Sequence, residues 1–494
     1  MDRRLFLATA ASIAAHPLVA RAASGTVATG GLAERLALYA ATLTYDDLDD
    51  HTVATIKGHL IDTIGCAMAA LEEKPVEVAR RVALAARATD STKGATVWGT
   101  RRKTTPELAA FANGCAIRQL DLNDIYIGKE IGHPSDNIAA CMAVAESCQA
   151  SGRDLILAIA IAYEINCRLM DAAQINTLGW DHTNFDLPAV ALAAGRLMHL
   201  DQAQLVEAVN LSINAHLALN QTRIQTISNW KGMAAAEAGR DAIFATTLAS
   251  QGLTGPSPIF EGNAGFFRKV SGTLAIDTAR FGGRGNPFRI ADCSIKFYPA
   301  QGLTQTAIVA AIDVARQVGD LGRITAVEIR TSEDGVDKSG RDPQKWAPET
   351  SETADHSLPY IVARAMKDGD IGVHSYELEL VRDPALRTFM QTITVVADPE
   401  LTAIYPKYYA TIVTATLTDG SKVSKRVDDI PGLATHPMQK PDFEAKFRKY
   451  AGSHLSASQM DQVLRLVWRL DASDSVEPLL AALVQQHAKG AEAG

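Results

Sequence analysis

Between Gly31 and Gly272 the sequence offers almost nothing but helices, and this run constrains the fold more than any other feature. Segments 32–43, 50–71, 76–88, 106–119, 137–151 and 153–171 each repeat apolar residues at i, i+3 and i+4. Several are apolar on most faces, so they need neighbours on every side, and a multi-layer helical domain follows. Alanine is abundant and aromatics are only 6% of the 494 residues, so the helices are expected to approach closely through small side chains. Asp201-Gln-Ala-Gln204 reads as a capping box ahead of LVEAVNLSINA.

The text changes after Gly272. ITAVEIRT (324–331), TITVVA (392–397) and ATIVTATL (410–417) are rich in β-branched residues, and Asp419-Gly420 signals a hairpin into 422–427. Helical patterns at 303–317 and 360–367 lie among these strands, and helical text returns from 441 onwards. The expected architecture is a large all-helical domain built from residues 31–272 and 431–488, with a smaller α+β domain, 273–430, inserted between its parts.

The chain opens Met-Asp-Arg-Arg-Leu-Phe-Leu, and Arg3-Arg4 precede a short apolar stretch ending in Ala20-Arg21-Ala22. This resembles a twin-arginine export signal over residues 1–22 and implies a periplasmic location. No window reaches 18 uncharged apolar residues, so stable membrane insertion is not expected. The net charge of -8 and the absence of any Lys/Arg run argue against nucleic-acid binding; an anionic ligand would need a local cationic pocket. The six cysteines sit mostly in apolar stretches without a C-x-x-C and read as buried small hydrophobes.

Six places depart from packing logic. Asp121 and Asp124 lie three apart, on one face if helical, and His133 closes a glycine-containing loop. A capping Ser135 or Asp136 would put His133 beside a positive helix N-terminus, which disfavours imidazolium; the plainer alternative is a capping loop with a solvated His. Asp181-His182 precedes another long helix, Lys231 opens the alanine-rich helix against its dipole, and Lys296 is embedded in an aromatic stretch where snorkelling is the bland account. Polar groups gather at the helix start Asp355-His356-Ser357-Leu-Pro-Tyr360, and the glycine turn at Glu261–Gly265 reads as structural. No G-x-S-x-G, H-E-x-x-H, cysteine cluster or phosphate loop occurs, so no metal or nucleotide cofactor is expected. Two His, two Lys, acids and a Tyr are the parts needed to abstract a proton next to a carboxylate.

In this order the segments HLIDTIGCAMA (59–69), GATVWGT (94–100), AAFANGCA (109–116), LDLNDIYIGKEIGHPSDN (120–137), DHTNF (181–185), SNWKGMAAAEAGRDA (228–242), IKFYPAQGLTQ (295–305) and TADHSLPYIVARAMKDG (353–369) resemble the MmgE/PrpD family of 2-methylcitrate dehydratases, cis-aconitate decarboxylases and iminodisuccinate epimerases. The resemblance implies an all-helical domain and a smaller α+β domain with the active site between them, usually a homodimer, and no cofactor. It implies a pocket of Asp121, His133, His182, Lys231, Lys296 and Tyr360. Where the decarboxylases carry a Thr this chain has Ile125, and the GKEIGHPSDN run looks more like the dehydratases.

The expected function is dehydration of a 2-hydroxy tricarboxylate of 2-methylcitrate type to a cis-aconitate-type alkene. Lys231 and Lys296 would neutralise the developing carboxylate charge, His133 would act as base and His182 as acid, in an order open to reversal. Asp121 would orient an imidazole, and Tyr360 would hydrogen-bond the substrate. Decarboxylation or dicarboxylate epimerisation needs the same groups, and a non-catalytic carboxylate-binding protein would keep the cations without needing an acid/base pair.

Overall fold

A computed structural model describes residues 30–86 and 93–485; the expected export signal and the C-terminal alanine-glycine tail lie outside them. The described chain is mostly helical, with three small sheets.

Among the described residues, nine α-helices carry the first half: α1 (Leu32–Thr42), α2 (Asp50–Ala69), α3 (Lys74–Ala85), α4 (Pro106–Arg118), α5 (Ile138–Ser147), α6 (Gly152–Ala172), α7 (Asp186–Leu197), α8 (Gln202–Ala215) and α9 (Ala234–Ser250). They start where local chemistry supplies acceptors for free N–H groups. Ser151 accepts from the Asp154 amide while Asp154 accepts from the Ser151 amide, and Asp201 and Gln204 do the same for α8; such a cap is worth about 1 kcal/mol. Almost every residue of α5, α6 and α7 is buried, as their all-round apolar sequences require. Small residues set the spacing: a Cβ at Gly114 on α4 would stand 2.9 Å from the Ala236 Cβ on α9.

This half is not purely helical. The ladders β1 (Ala95–Thr96) with β2 (Lys103–Thr104) and β3 (Tyr126–Ile127) with β4 (Ile131–Gly132) are two residues per strand, too short to show as alternation in the sequence. The second ladder folds the 125–133 segment into a hairpin ending at His133.

Strands β5 (Ile324–Thr331), β6 (Ile393–Ala397), β7 (Thr411–Leu417) and β8 (Lys422–Val427) form one sheet in the order β6-β5-β7-β8. The β5–β6 pair is parallel and the others antiparallel, with Gly420 at φ 80° turning the β7–β8 hairpin. Thr411, Val413, Ala415 and Leu417 of β7 point inward at every second residue, toward α10 (Gln305–Val318) and the helix Leu358–Asp368.

Two apolar cores result. The larger runs from Leu32 to Ile295 and resumes from Met438 to Leu483; the second gathers residues between Ala300 and Leu433. The change of core therefore falls between Ile295 and Ala300, later than the sequence change at Gly272. The reason is that 274–295 is loop and short turns whose apolar side chains, such as Phe281 against Tyr39 at 5.0 Å, pack on the helices. The helix Lys440–Ala451 lies along α2, with Phe443 and Phe447 seated over Gly58 and Gly65. No described helix is long and apolar enough to cross a membrane.

Candidate active site

Arg118, Asp121, His133, His182 and His356 line one cleft, of about 360 Å³, with Lys231, Lys296 and Asp355 buried behind them, and loops that precede helices deliver most of these residues. His133 leads through the turn Pro134–Asn137 into α5, His182 through His182–Phe185 into α7, and Lys231 through Asn229–Gly232 into α9. Asp355 and His356 precede Ser357, whose Oγ accepts from the Tyr360 amide to cap Leu358–Asp368. Helix N-termini favour anions and oppose protonation of a nearby imidazole. Lys296 arrives differently: Ile125 and Ser294 exchange two backbone hydrogen bonds of 2.8 Å, which fold the 121–125 and 294–296 segments together.

At the floor, Asp121 is the hub. Its backbone sits at φ 49°, the left-handed region that Asp tolerates better than most residues, and this turns the carboxylate inward. Arg118, at the end of α4, donates to Asp121 Oδ1; Lys296 Nζ is 2.8 Å from the same oxygen, and Lys231 Nζ is 3.8 Å from Oδ2. Lys231 also bonds Asp355 Oδ2 at 2.7 Å. Three cations thus meet Asp121 and Asp355 in a region where each lysine is 1% exposed, and a third acid, Asp136, stands 3.9 Å from Arg118 Nε with its carboxyl raised by burial to about 7. Burial alone would raise the Asp121 carboxyl, but Arg118, Lys231 and Lys296 overrule it and hold it well below its ordinary range. Burial pushes Lys296 down to about 8, against the pull of Asp121. A buried excess of positive charge is costly unless an anion enters.

Three imidazoles face this cluster, and burial lowers all three, His182 to about 3 and His356 to about 4. Their nitrogens differ. His133 Nε2 lies 2.9 Å from the Arg118 guanidinium, which only donates, so Nδ1 carries the proton and gives it to the Asp124 carbonyl at 2.6 Å. Both nitrogens are committed, so His133 cannot take a proton unless Arg118 moves away. His182 has no hydrogen bond to its ring among the described residues; its Nε2 is 3.8 Å from Asp181 Oδ1, and Asp181 is held by Arg223. The His133 and His182 rings meet edge to face at 5.5 Å.

The sequence-derived set therefore divides. Asp121, His133, His182, Lys231 and Lys296 converge. Tyr360 does not: its hydroxyl donates to the Ser375 carbonyl at 2.6 Å and its ring lies in the second core, because helix Leu358–Asp368 turns that position toward the sheet. Asp121 and Asp124 share no helical face either. Asp124 points the other way, accepting from Ser135 Oγ at 2.6 Å and Tyr163 at 2.8 Å, and so supports the loop beneath His133. Sequence reasoning does not single out Arg118; its one signal is a lone cation closing the apolar run AAFANGCAI, three residues before Asp121. Asp355 and His356 show in the sequence only as polar groups at a helix start.

Asp121, Asp355 and His356 present three ligand atoms close enough to share a metal ion. The donor set does not suit one, because Arg118, Lys231 and Lys296 already neutralise both carboxylates and would repel a cation. A larger cavity of about 510 Å³ lies beside α2, and there Lys57 is paired with Asp471 at 2.5 Å.

Comparison with known proteins adds the ancestry. Residues 34–278 match the MmgE/PrpD N-terminal domain and residues 298–470 the MmgE/PrpD C-terminal domain. The chain belongs to the MmgE/PrpD family. Within it, the chain is 27% identical to the 2-methylcitrate dehydratase of Cupriavidus necator over 408 residues, 76% of this chain and 81% of that protein. It is 28% identical to the 2-methylcitrate dehydratase of Salmonella typhimurium, over 75% of this chain and 80% of the relative. The cis-aconitate decarboxylase of Homo sapiens is 24% identical over 88% of this chain and 91% of its own length.

Proposed function

We propose that this chain is a lyase that removes water from a 2-hydroxy tricarboxylate of 2-methylcitrate type, giving a cis-aconitate-type alkene. The observation that carries this reading is the buried cluster of Arg118, Lys231 and Lys296 around Asp121 and Asp355, which meets a cleft at Arg118 and Asp121 where an unbonded imidazole also stands. Likeness to the dehydratases supports it. Losing a proton next to a carboxylate spreads negative charge onto that carboxylate, and preorganised cations stabilise the transition state more than the ground state. Proton abstraction and departure of hydroxide as water require only groups that the chain itself supplies, so no cofactor enters the reading.

His182 serves in proton transfer, since its nitrogens are free. Burial keeps it neutral, and a polyanionic substrate raises the pKa of an adjacent imidazole, so substrate brings the proton that the leaving hydroxide needs. His133 takes another part than the base expected from sequence: it orients Arg118. Tyr360 has no part in the chemistry.

The same groups would protonate a carbanion after loss of CO2, and likeness to the decarboxylases over most of the chain favours this as the second reading. Ile125 speaks against it, since its side chain packs on Gly302 at the position where the family resemblance implies a threonine hydroxyl in the decarboxylases. A mostly helical domain with its α+β insert, a homodimeric assembly and export of the chain through residues 1–22 to the periplasm complete the proposal. The experiment is incubation of the purified protein with 2-methylcitrate, citrate, cis-aconitate and related di- and tricarboxylates, following alkene absorbance and mass together. Loss of one water with a new alkene supports dehydration; loss of CO2 supports the second reading; no change with any acid defeats both.

A further inference from the structure

Elimination needs two groups that exchange protons with substrate, and the helical wall of the cleft supplies one free imidazole. The other wall holds a third. His356 Nδ1 stands 2.5 Å from Asp355 Oδ1, and a carboxylate only accepts, so Nδ1 carries the proton. Lys231 approaches the same nitrogen at 3.3 Å, and its bond of 2.7 Å to Asp355 Oδ2 pins the carboxylate. The Asp355 carbonyl is fixed as well, accepting from the Gln301 amide at 2.9 Å. Nε2 is left as a lone pair. Asp121 Oδ2 stands 3.7 Å from it, outside hydrogen-bond reach, and the ring lines the cleft with a side chain 16% exposed. A carboxylate that orients an imidazole and stabilises its protonated form makes a general base. Asp355 also outlasts burial as an anion, because Lys231 and His356 hold its carboxyl below its ordinary range.

We propose that His356, oriented by Asp355, is the proton-transferring partner of His182 and works from the opposite wall of the cleft. This rests on the lyase reading above. His356 Nε2 takes the proton from the carbon next to the substrate carboxylate. The C–H electron pair becomes the second bond of the alkene, the neighbouring C–O bond breaks, and the oxygen leaves as water with the proton from His182. His356 is then restored by giving its proton to solvent, and His182 by taking one back from solvent. Asp355 is a positioning residue.

Diethyl pyrocarbonate, which acylates unprotonated imidazole nitrogens, tests the assignment on the intact protein by peptide mass mapping. At neutral pH the expected labels include His356 and His182 but not His133, although all three are similarly buried. Tricarballylate, a tricarboxylate with no hydroxyl to lose, should protect His356. With 2-methylcitrate, His356→Gln should lower turnover about 10²–10⁴-fold and lower solvent-deuterium incorporation at the carbon in step with it. Asp355→Asn should lower turnover and also shift the acidic limb of the pH–rate profile, which loss of packing alone would not move. His356 left unlabelled, labelled regardless of tricarballylate, or replaceable by Gln with turnover within about threefold overturns the proposal. If His356→Gln does not fold, the labelling pattern decides. If the wild type converts no acid, the lyase reading fails, while the labelling still decides whether His356 presents a free nitrogen to a bound tricarboxylate.

Discussion

The two walls of the cleft are built alike and behave differently. Each ends in loops that deliver a histidine to the start of a helix, His133 and His182 from the larger core and His356 from the second. On the helical wall His133 is locked by Arg118 and the Asp124 carbonyl, and Arg118 is locked in turn by Asp121. That wall sets fixed charge beside a single open imidazole, His182. On the other wall one carboxylate grips one imidazole nitrogen and leaves the second open. A histidine's type and exposure do not decide its chemistry; the commitments of its two nitrogens do.

The largest expected effect tests the fixed-charge wall. Asp121→Ala leaves Arg118, Lys231 and Lys296 without their shared carboxylate and should cost about 3–5 kcal/mol of stability in urea unfolding. An unchanged midpoint would mean that the cluster is not the closed charge unit described. Next, Lys296→Met should reduce turnover of 2-methylcitrate about 10²–10³-fold with a smaller effect on folding, since Asp121 keeps two cations. Equal losses of turnover and stability would blur the division between charge and scaffold.

Acid stability sharpens the contrast between imidazoles. An unfolded histidine titrates near 6.5, whereas burial keeps folded His356 neutral down to about 4. Between these values the unfolded state binds the extra proton, so stability from this group is intact above pH about 6.5 and falls as the pH drops toward 4, by at most about 1.4 kcal/mol per pH unit. Burial raises the Asp136 carboxyl to about 7, which acts in the opposite sense, so the comparison is wild type against His356→Gln. The variant should lose stability less steeply between pH 6 and 4.5; parallel curves would contradict the buried neutral state of His356. The smallest effect belongs to Tyr360→Phe. It should keep turnover within about twofold and cost about 1 kcal/mol, the size of one hydrogen bond to the Ser375 carbonyl. A large loss of turnover would return Tyr360 to the chemistry.

Much of this architecture is legible in the amino-acid sequence, and for local reasons. Apolar repeats of 3.6 residues mark α2, α4 and α6, β-branched runs mark β5 and β7 nearly to the residue, and the Asp201–Gln204 box marks the start of α8. Lys231 and Lys296 stand out because an ammonium in apolar text needs a reason. Hidden are the two-residue ladders, too short to carry a period, and the side on which Tyr360 falls, which depends on how its helix is rolled against the sheet.

The sequence by itself determined the elements, the stock of cations and imidazoles, and the family, because these rest on composition and on neighbours within a few residues. Only the tertiary structure decided which nitrogen is free and which is bound, because His133 finds Arg118 fifteen residues away and Lys231 finds Asp355 across 124. The first pairing exists only once the helical part has folded its loops together, and the second only once the second core has closed on it.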